Sequence, residues 1–156
     1  MITSGVDALS WPYKFARGSE ADRDDWRLCD HAFQWLQQVT GVVFTVDRMA
    51  SRANRRCTQF CSHSSVDPES FGVSAFAVNW TVDSMGDPAV NYCFPPFSMI
   101  PRVLQHLREC RAWAVVILPC WPSQCWWVEM CSMSVATWFF PNKAVFERVR
   151  DGQWLG

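Results

Sequence analysis

The residues best placed to do chemistry sit at the ends of two apolar runs. GVVFTVD stops abruptly at Asp47, and AVNYCF runs into the step Phe94-Pro95-Pro96-Phe97. A carboxylate ending a buried strand can hold a ligand group, or it can cap the helix that follows, where it is worth roughly 0.5–2 kcal/mol. Two successive prolines lock φ and remove two backbone donors, so the backbone there is rigid and its carbonyls lie outside a sheet ladder. The flanking phenylalanines fit core packing beside a tight turn. Just after Asp47 come Arg48, Arg52, Arg55 and Arg56, a local basic cluster that suits phosphate contact or a solvated face.

Other chemistries have less behind them. Cys57, Cys61 and His63 are ligand types for zinc, but they lack a Cys-x-x-Cys pair and no second pair follows, so no metal site is expected. No pattern supports a cysteine nucleophile with His106 or His31 as its base. Trp121, Trp126, Trp127 and Trp138 gather in the last third, as core or as a docking or stacking patch; docking through exposed tryptophan is expected.

The elements that must position these groups belong to one compact domain. The chain has 156 residues, 49% hydrophobic and 15% aromatic, which is enough to bury roughly two-thirds of the unfolded surface. With 14 basic against 15 acidic side chains, bulk charge does not call for a polyanionic partner, so any DNA contact must be local. Ten tryptophans need a core or a partner to cover them. The eight cysteines follow an N-terminus without the basic start and apolar stretch of a secretory signal. Reduced thiols in an intracellular, reducing compartment are expected, nuclear if the chain is DNA-associated. Pro119 and Pro122 break the most apolar window before it reaches the ~20 residues a membrane helix needs, so no membrane insertion is expected.

Residues 1–25 include the charged ARGSEADRDD and read as an arm or linker, and residues 26–156 as an α/β domain. From Trp26, the spacing of Leu28, Ala32, Phe33, Leu36 and Val39 predicts a helix, with Asp25 as cap and Gly41 past its end. GVVFTVD is a strand, RMASRANRRC a loop entering a short helix, CTQFCS a brief strand, and VSAFAVNW a strand or ordered loop. AVNYCF is a strand, and residues 98–111 are a helix burying Ile100, Val103, Leu104 and Leu107, with Ser98 as cap and Pro101 in its first turn. AWAVVILP is the clearest strand. SQCWWVEMCSM reads as a helix, ATWFF as a strand, and KAVFERVRDG as a strand or helix. This alternation predicts a three-layer α/β sandwich with a largely parallel sheet, whose ligands gather outside the carboxyl ends of the strands.

In order, FTVDRMASRANRRC, NW, CFPPF and VVILPCWPSQCWW resemble the phage-type Dam N6-adenine DNA methyltransferases, over about Trp26 to Phe146. In that family an acidic residue ends the first strand in a D-x-x-A-S-x-x-N pattern, and a later strand ends in Asx-Pro-Pro-aromatic. VDRMASRANRR, FPPFSMIPRVLQHL and LPCWPSQCWW are more narrowly similar to the methyltransferase-like segment that follows RNase H in the polyproteins of DIRS-like tyrosine-recombinase retrotransposons. GVDALSW is similar to the ADxLSR signature that closes retroelement RNase H domains, with Asp7 aligned to an acidic residue there and the rest of that domain missing.

The resemblance implies a Rossmann-like methyltransferase-type sheet and S-adenosylmethionine as cofactor, held near Asp47, Ala50 and Ser51. It places Phe94, Pro95, Pro96 and Phe97 in the catalytic motif, with Phe97 stacking on an extruded base. Arg48, Arg52, Arg55 and Arg56 would meet DNA. Two departures stand out. Phe94 has no acceptor where the family's Asn or Asp holds the amine, a loss worth around a hundred- to a thousandfold in rate by analogy with oxyanion-hole deletions. Ser74 replaces an acidic residue of the retroelement pattern. The expectation is a degenerate methyltransferase-like domain of retroelement origin, a binding or structural module that contacts DNA or serves as a subunit of a protein assembly. The alternative is an active S-adenosylmethionine-dependent N6-adenine DNA methyltransferase.

Overall fold

The computed structural model describes residues 2–7, 26–62, 69–72, 74–140 and 145–149. In chain order the elements are β1 (Ile2–Asp7), β2 (Trp26–Leu28), α1 (Asp30–Thr40), β3 (Val46–Arg48), β4 (Gln59–Cys61), β5 (Asn91–Cys93), α2 (Ile100–Cys110), β6 (Ala114–Cys120), α3 (Trp127–Met133) and β7 (Phe146–Arg148). Strands β1, β6, β5, β3 and β4 lie side by side in that order, every pair parallel. Strands β2 and β7 form a separate antiparallel ribbon. The chain is therefore α/β, built on a parallel sheet with helices.

Local sequence explains the helices. Helix α1 buries Ala32, Phe33 and Leu36 at helical spacing, and Gly41 closes it with a left-handed φ of 73°, donating its N–H to the Gln37 carbonyl. Helix α2 buries Ile100, Val103, Leu104 and Leu107, with Pro101 in the first turn, where its missing N–H costs nothing. In β6, Pro119 has no N–H to give, and the pairing with β1 shifts register there, between Thr3 and Asp7.

Two cores form, one on each face of the sheet. Phe33, Leu36, Phe44, Tyr92 and Ile117 pack with the ribbon residues Leu28 and Phe146 on one face. Val46, Cys93, Leu104, Val116 and Met130 pack on the other. Alternation along β3 sends Asp47 and Arg48 to opposite faces. Arg48 is 0% exposed. Its guanidinium donates to Asn91 Oδ1 at 2.8 Å, the Val82 carbonyl at 2.7 Å and Cys61 Sγ at 3.2 Å, and lies over the rings of Phe71 and Trp80. Asn91 in turn gives its amide hydrogens to the Trp80 and Trp113 carbonyls.

Several elements differ from expectation. Trp26–Leu28 is a strand, because it pairs with Phe146–Arg148, and α1 starts only at Asp30; Asp25 lies outside the described residues. Ile2–Asp7, read as part of an arm, extends the sheet edge beside β6. Of the two forms expected for VSAFAVNW its described residues take the ordered loop, with a 3-10 turn over Ala75–Ala77, and ATWFF forms no strand. A 3-10 turn over Phe97–Met99 precedes α2, so Met99 and not Ser98 occupies the cap position. Among the described residues no helix is long and apolar enough to cross a membrane.

Asn91→Ala should lower the unfolding free energy by about 3–5 kcal/mol, because it strips an acceptor from a buried cation and leaves two carbonyls unpaired. In an Arg48→Met background the same change should cost at least ~1 kcal/mol less. Strictly additive losses in a denaturant-unfolding double-mutant cycle would contradict the coupling.

Candidate functional site

Strand β4 lies on one side of β3, and β5 lies on the other, so the chain changes direction across the sheet between β3 and β5. In open parallel sheets the ligand crevice opens at the carboxyl ends of such a strand pair. Here those ends carry Asp47 to Ala50 and Phe94 to Pro96, so the sheet brings together the two segments the sequence singles out.

That crevice is filled from within. The Phe94 ring is 4% exposed and stacks on Phe146 of the ribbon, with centroids 5.3 Å apart and planes 27° from parallel. Pro95 and Pro96 are buried, and the Pro96 carbonyl accepts the Met99 N–H at 2.9 Å. Phe97 meets Trp121 edge to face at 4.9 Å. Met49 holds a left-handed φ of 67°, a conformation that costs an L-residue roughly 1–2 kcal/mol, and buries its side chain. The space left, bordered by Asp47, Ala50, Asn54, Tyr92 and Phe94, is about 10 Å³, room for about one water.

The polar groups around it hold the chain's own backbone. Asp47 Oδ2 accepts the Arg56 N–H at 2.7 Å. Ser51 and Asn54 close a turn on each other: Asn54 Oδ1 accepts the Ser51 N–H at 2.7 Å, and Ser51 Oγ accepts the Asn54 N–H at 3.2 Å. Asn54 Nδ2 donates to the Trp26 carbonyl at 3.4 Å, and an Arg27–Glu147 ion pair of 2.7 Å clamps the two ribbon strands together. Burial, with the Asp47 carboxylate adding to it, pushes the Tyr92 hydroxyl well above the usual phenol range, and that hydroxyl has no hydrogen-bond partner. Burial also pushes the Cys57 thiol up, again with Asp47 contributing. Ligand pockets usually offer about 300–1,000 Å³.

The four arginines do not share one surface. Arg48 is interior. Arg52 and Arg55 both face Glu69, at 3.5 and 3.2 Å. Arg56 pairs with Asp30 at 2.7 Å and lies over the Phe33 ring, and its guanidinium holds the Asp30 carboxyl below the usual range. Among the described residues no group of three His, Cys, Asp or Glu side chains is arranged to hold a metal, and His63 lies outside them. His106 Nε2 donates to the Val78 carbonyl at 2.8 Å and lies 3.4 Å from Cys110 Sγ. No disulfide links the eight cysteines. Trp126 is buried, and Trp121, Trp127 and Trp138 are half-buried; the strongly exposed tryptophan among the described residues is Trp113.

Sequence reasoning missed Phe146, Tyr92 and Asn91, all of which shape this region. Nothing local to VFERV announces a partner 120 residues away. No family model matches the chain, nor does any curated protein or solved structure.

Because its folded-state pKa is raised, Tyr92 keeps its proton when the unfolded chain would release it, so stability falls as pH rises above about 10. Tyr92→Phe removes both this loss and a partnerless hydroxyl. The variant should be more stable by about 1 kcal/mol at pH 7 and lose less between about pH 9 and pH 11 in urea unfolding. A variant clearly less stable than the parent at pH 7 would show that the hydroxyl is engaged.

Proposed function

We propose that this chain is a non-catalytic, methyltransferase-like α/β module of retroelement origin, working by contact as a subunit of a protein assembly. The reading rests on the motif likeness and, above all, on Phe94. It stands where an amine acceptor is needed, and its ring is packed against Phe146 in the crevice where such a fold would hold its cofactor. Truncating it to Ala should therefore cost about 3–5 kcal/mol, the price of a core phenylalanine.

Protein contact is favoured over DNA by charge. Arg52 and Arg55 share the carboxylate of Glu69, Arg56 meets Asp30 and Arg108 meets Glu129 at 2.8 Å, so most of the positive charge that would face phosphate is locally offset.

Calorimetric titration of the full chain with S-adenosylmethionine, to millimolar cofactor, and a methyl-incorporation assay on adenine-containing duplex DNA test the reading. Neither saturable binding nor incorporation is expected. Both together would establish the active methyltransferase instead, and salt-sensitive retention on duplex DNA would establish the DNA-contact form.

A further inference from the structure

An apolar cavity lies at the opposite end of the sheet from the filled crevice. A cavity of about 360 Å³ opens at the amino ends of β5 and β6, between the last turns of α1 and α2 and the segment after α3. Val42, Leu107, Trp113, Val135 and Trp138 form much of its wall, and no charged residue lines it.

Its hydroxyl and amide side chains are already engaged. Thr40 Oγ donates to the Leu36 carbonyl and Ser134 Oγ to the Met130 carbonyl, both at 2.7 Å. Asn91 uses its oxygen on Arg48 and its amide hydrogens on Trp80 and Trp113. The helix ends are closed too: Gly41 N–H bonds to the Gln37 carbonyl, and Ala112 N–H to the Leu107 carbonyl. With no charged residue in the lining, an occupant gains nothing there by bringing charge, and loses the hydration of that charge.

The mouth extends beyond the cavity. Trp113 and Val135 line it and are 72% and 74% exposed, so a ligand filling only the cavity would leave this rim in water. Across Val42 a second, shallower groove continues along α1, lined by Gln34, Gln37, Gln38, Gly41 and Val43, again without charge. Glutamine amides donate and accept, which matches peptide groups, and an uncharged lining gives no purchase to phosphates.

We propose that this surface is a docking site for an uncharged polypeptide segment of a protein partner, which inserts one large apolar side chain into the cavity and runs along the glutamine groove. The proposal rests on the reading of the chain as a binding module and supplies its contact surface. The cofactor titration probes the other end of the sheet, so either can fail without the other.

Selection of a random dodecapeptide display library on the full chain tests this, followed by titration of the selected peptides against variants. Peptides enriched in Leu, Ile, Met, Phe or Trp at one position, and poor in charge around it, are expected. Ala136→Trp, which fills the cavity, should weaken them by at least about tenfold, whereas Val128→Ala, a change at an exposed valine outside both linings, should not. Trp113→Ser, at a ring mostly in solvent, should weaken them likewise and covers the case in which the bulkier variant fails to fold. The proposal is overturned by recovery of no peptide, by selection of acidic or basic sequences, or by affinity indifferent to both variants. It is also overturned by a dimer in sedimentation that Trp113→Glu dissolves, which would make a second copy the occupant. Tighter peptide binding after deletion of residues 150–156 would assign the surface to the chain's own terminus.

Discussion

A buried guanidinium organises this sheet. Arg48 is removed from water with no carboxylate among the hydrogen-bond partners described above; it is held by an amide oxygen, a main-chain carbonyl, a thiol and two aromatic rings. A charge in such a place is tolerated only if its donors are met, so the strands and the loop that supply those acceptors must arrive together. Asn91 is the pivot, since it ties the cation to the Trp80 and Trp113 carbonyls and fixes how β3 and β5 lie beside each other. That register sets Asp47 beside Tyr92, two residues short of Phe94.

The two ends of the sheet then differ in kind. At the carboxyl end the diproline corner, Met49 and the β2–β7 ribbon bring apolar bulk inward, while Asp47, Ser51 and Asn54 brace the loops around it. At the amino end the helices stop short of closing over the strands, and an apolar hollow is left with a tryptophan at its lip. Parallel sheets usually place their chemistry at the carboxyl end. Among the described residues of this chain, an accessible apolar concavity lies at the other.

Helical periodicity made the buried face of α2 legible, because Ile100, Val103, Leu104 and Leu107 repeat on one side, although the helix starts two residues after Ser98; Gly41 marked the end of α1 for the reason a left-handed residue is needed there. The apolar run of β6 and the strand that ends near the prolines were equally plain, whereas GVVFTVD was not, since β3 spans only Val46–Arg48 and ends one residue past Asp47. The fate of Arg48 was not. RMASRANRR reads as a surface cluster until strand alternation places Val46 and Arg48 on one face, and only the partners on β4, β5 and the 71–82 loop explain how that cation can be inside. Trp26–Leu28 misled for a related reason: three residues continue a helical pattern, yet a strand 120 positions later captures them. The tryptophans named from their clustering proved mostly covered, while Trp113, in a run that looked like pure strand, carries the exposed ring.

The ribbon also bears on how the molecule is made. Its two strands stand near opposite ends of the described chain, and the stack on Phe94 needs the later one. During synthesis, which proceeds from the N-terminus, the sheet and its helices can assemble while Phe94 still faces water; the crevice closes only after Phe146 leaves the ribosome. A nascent chain stalled before that point presents a hydrophobic gap at its strand ends, the kind of feature that chaperones hold.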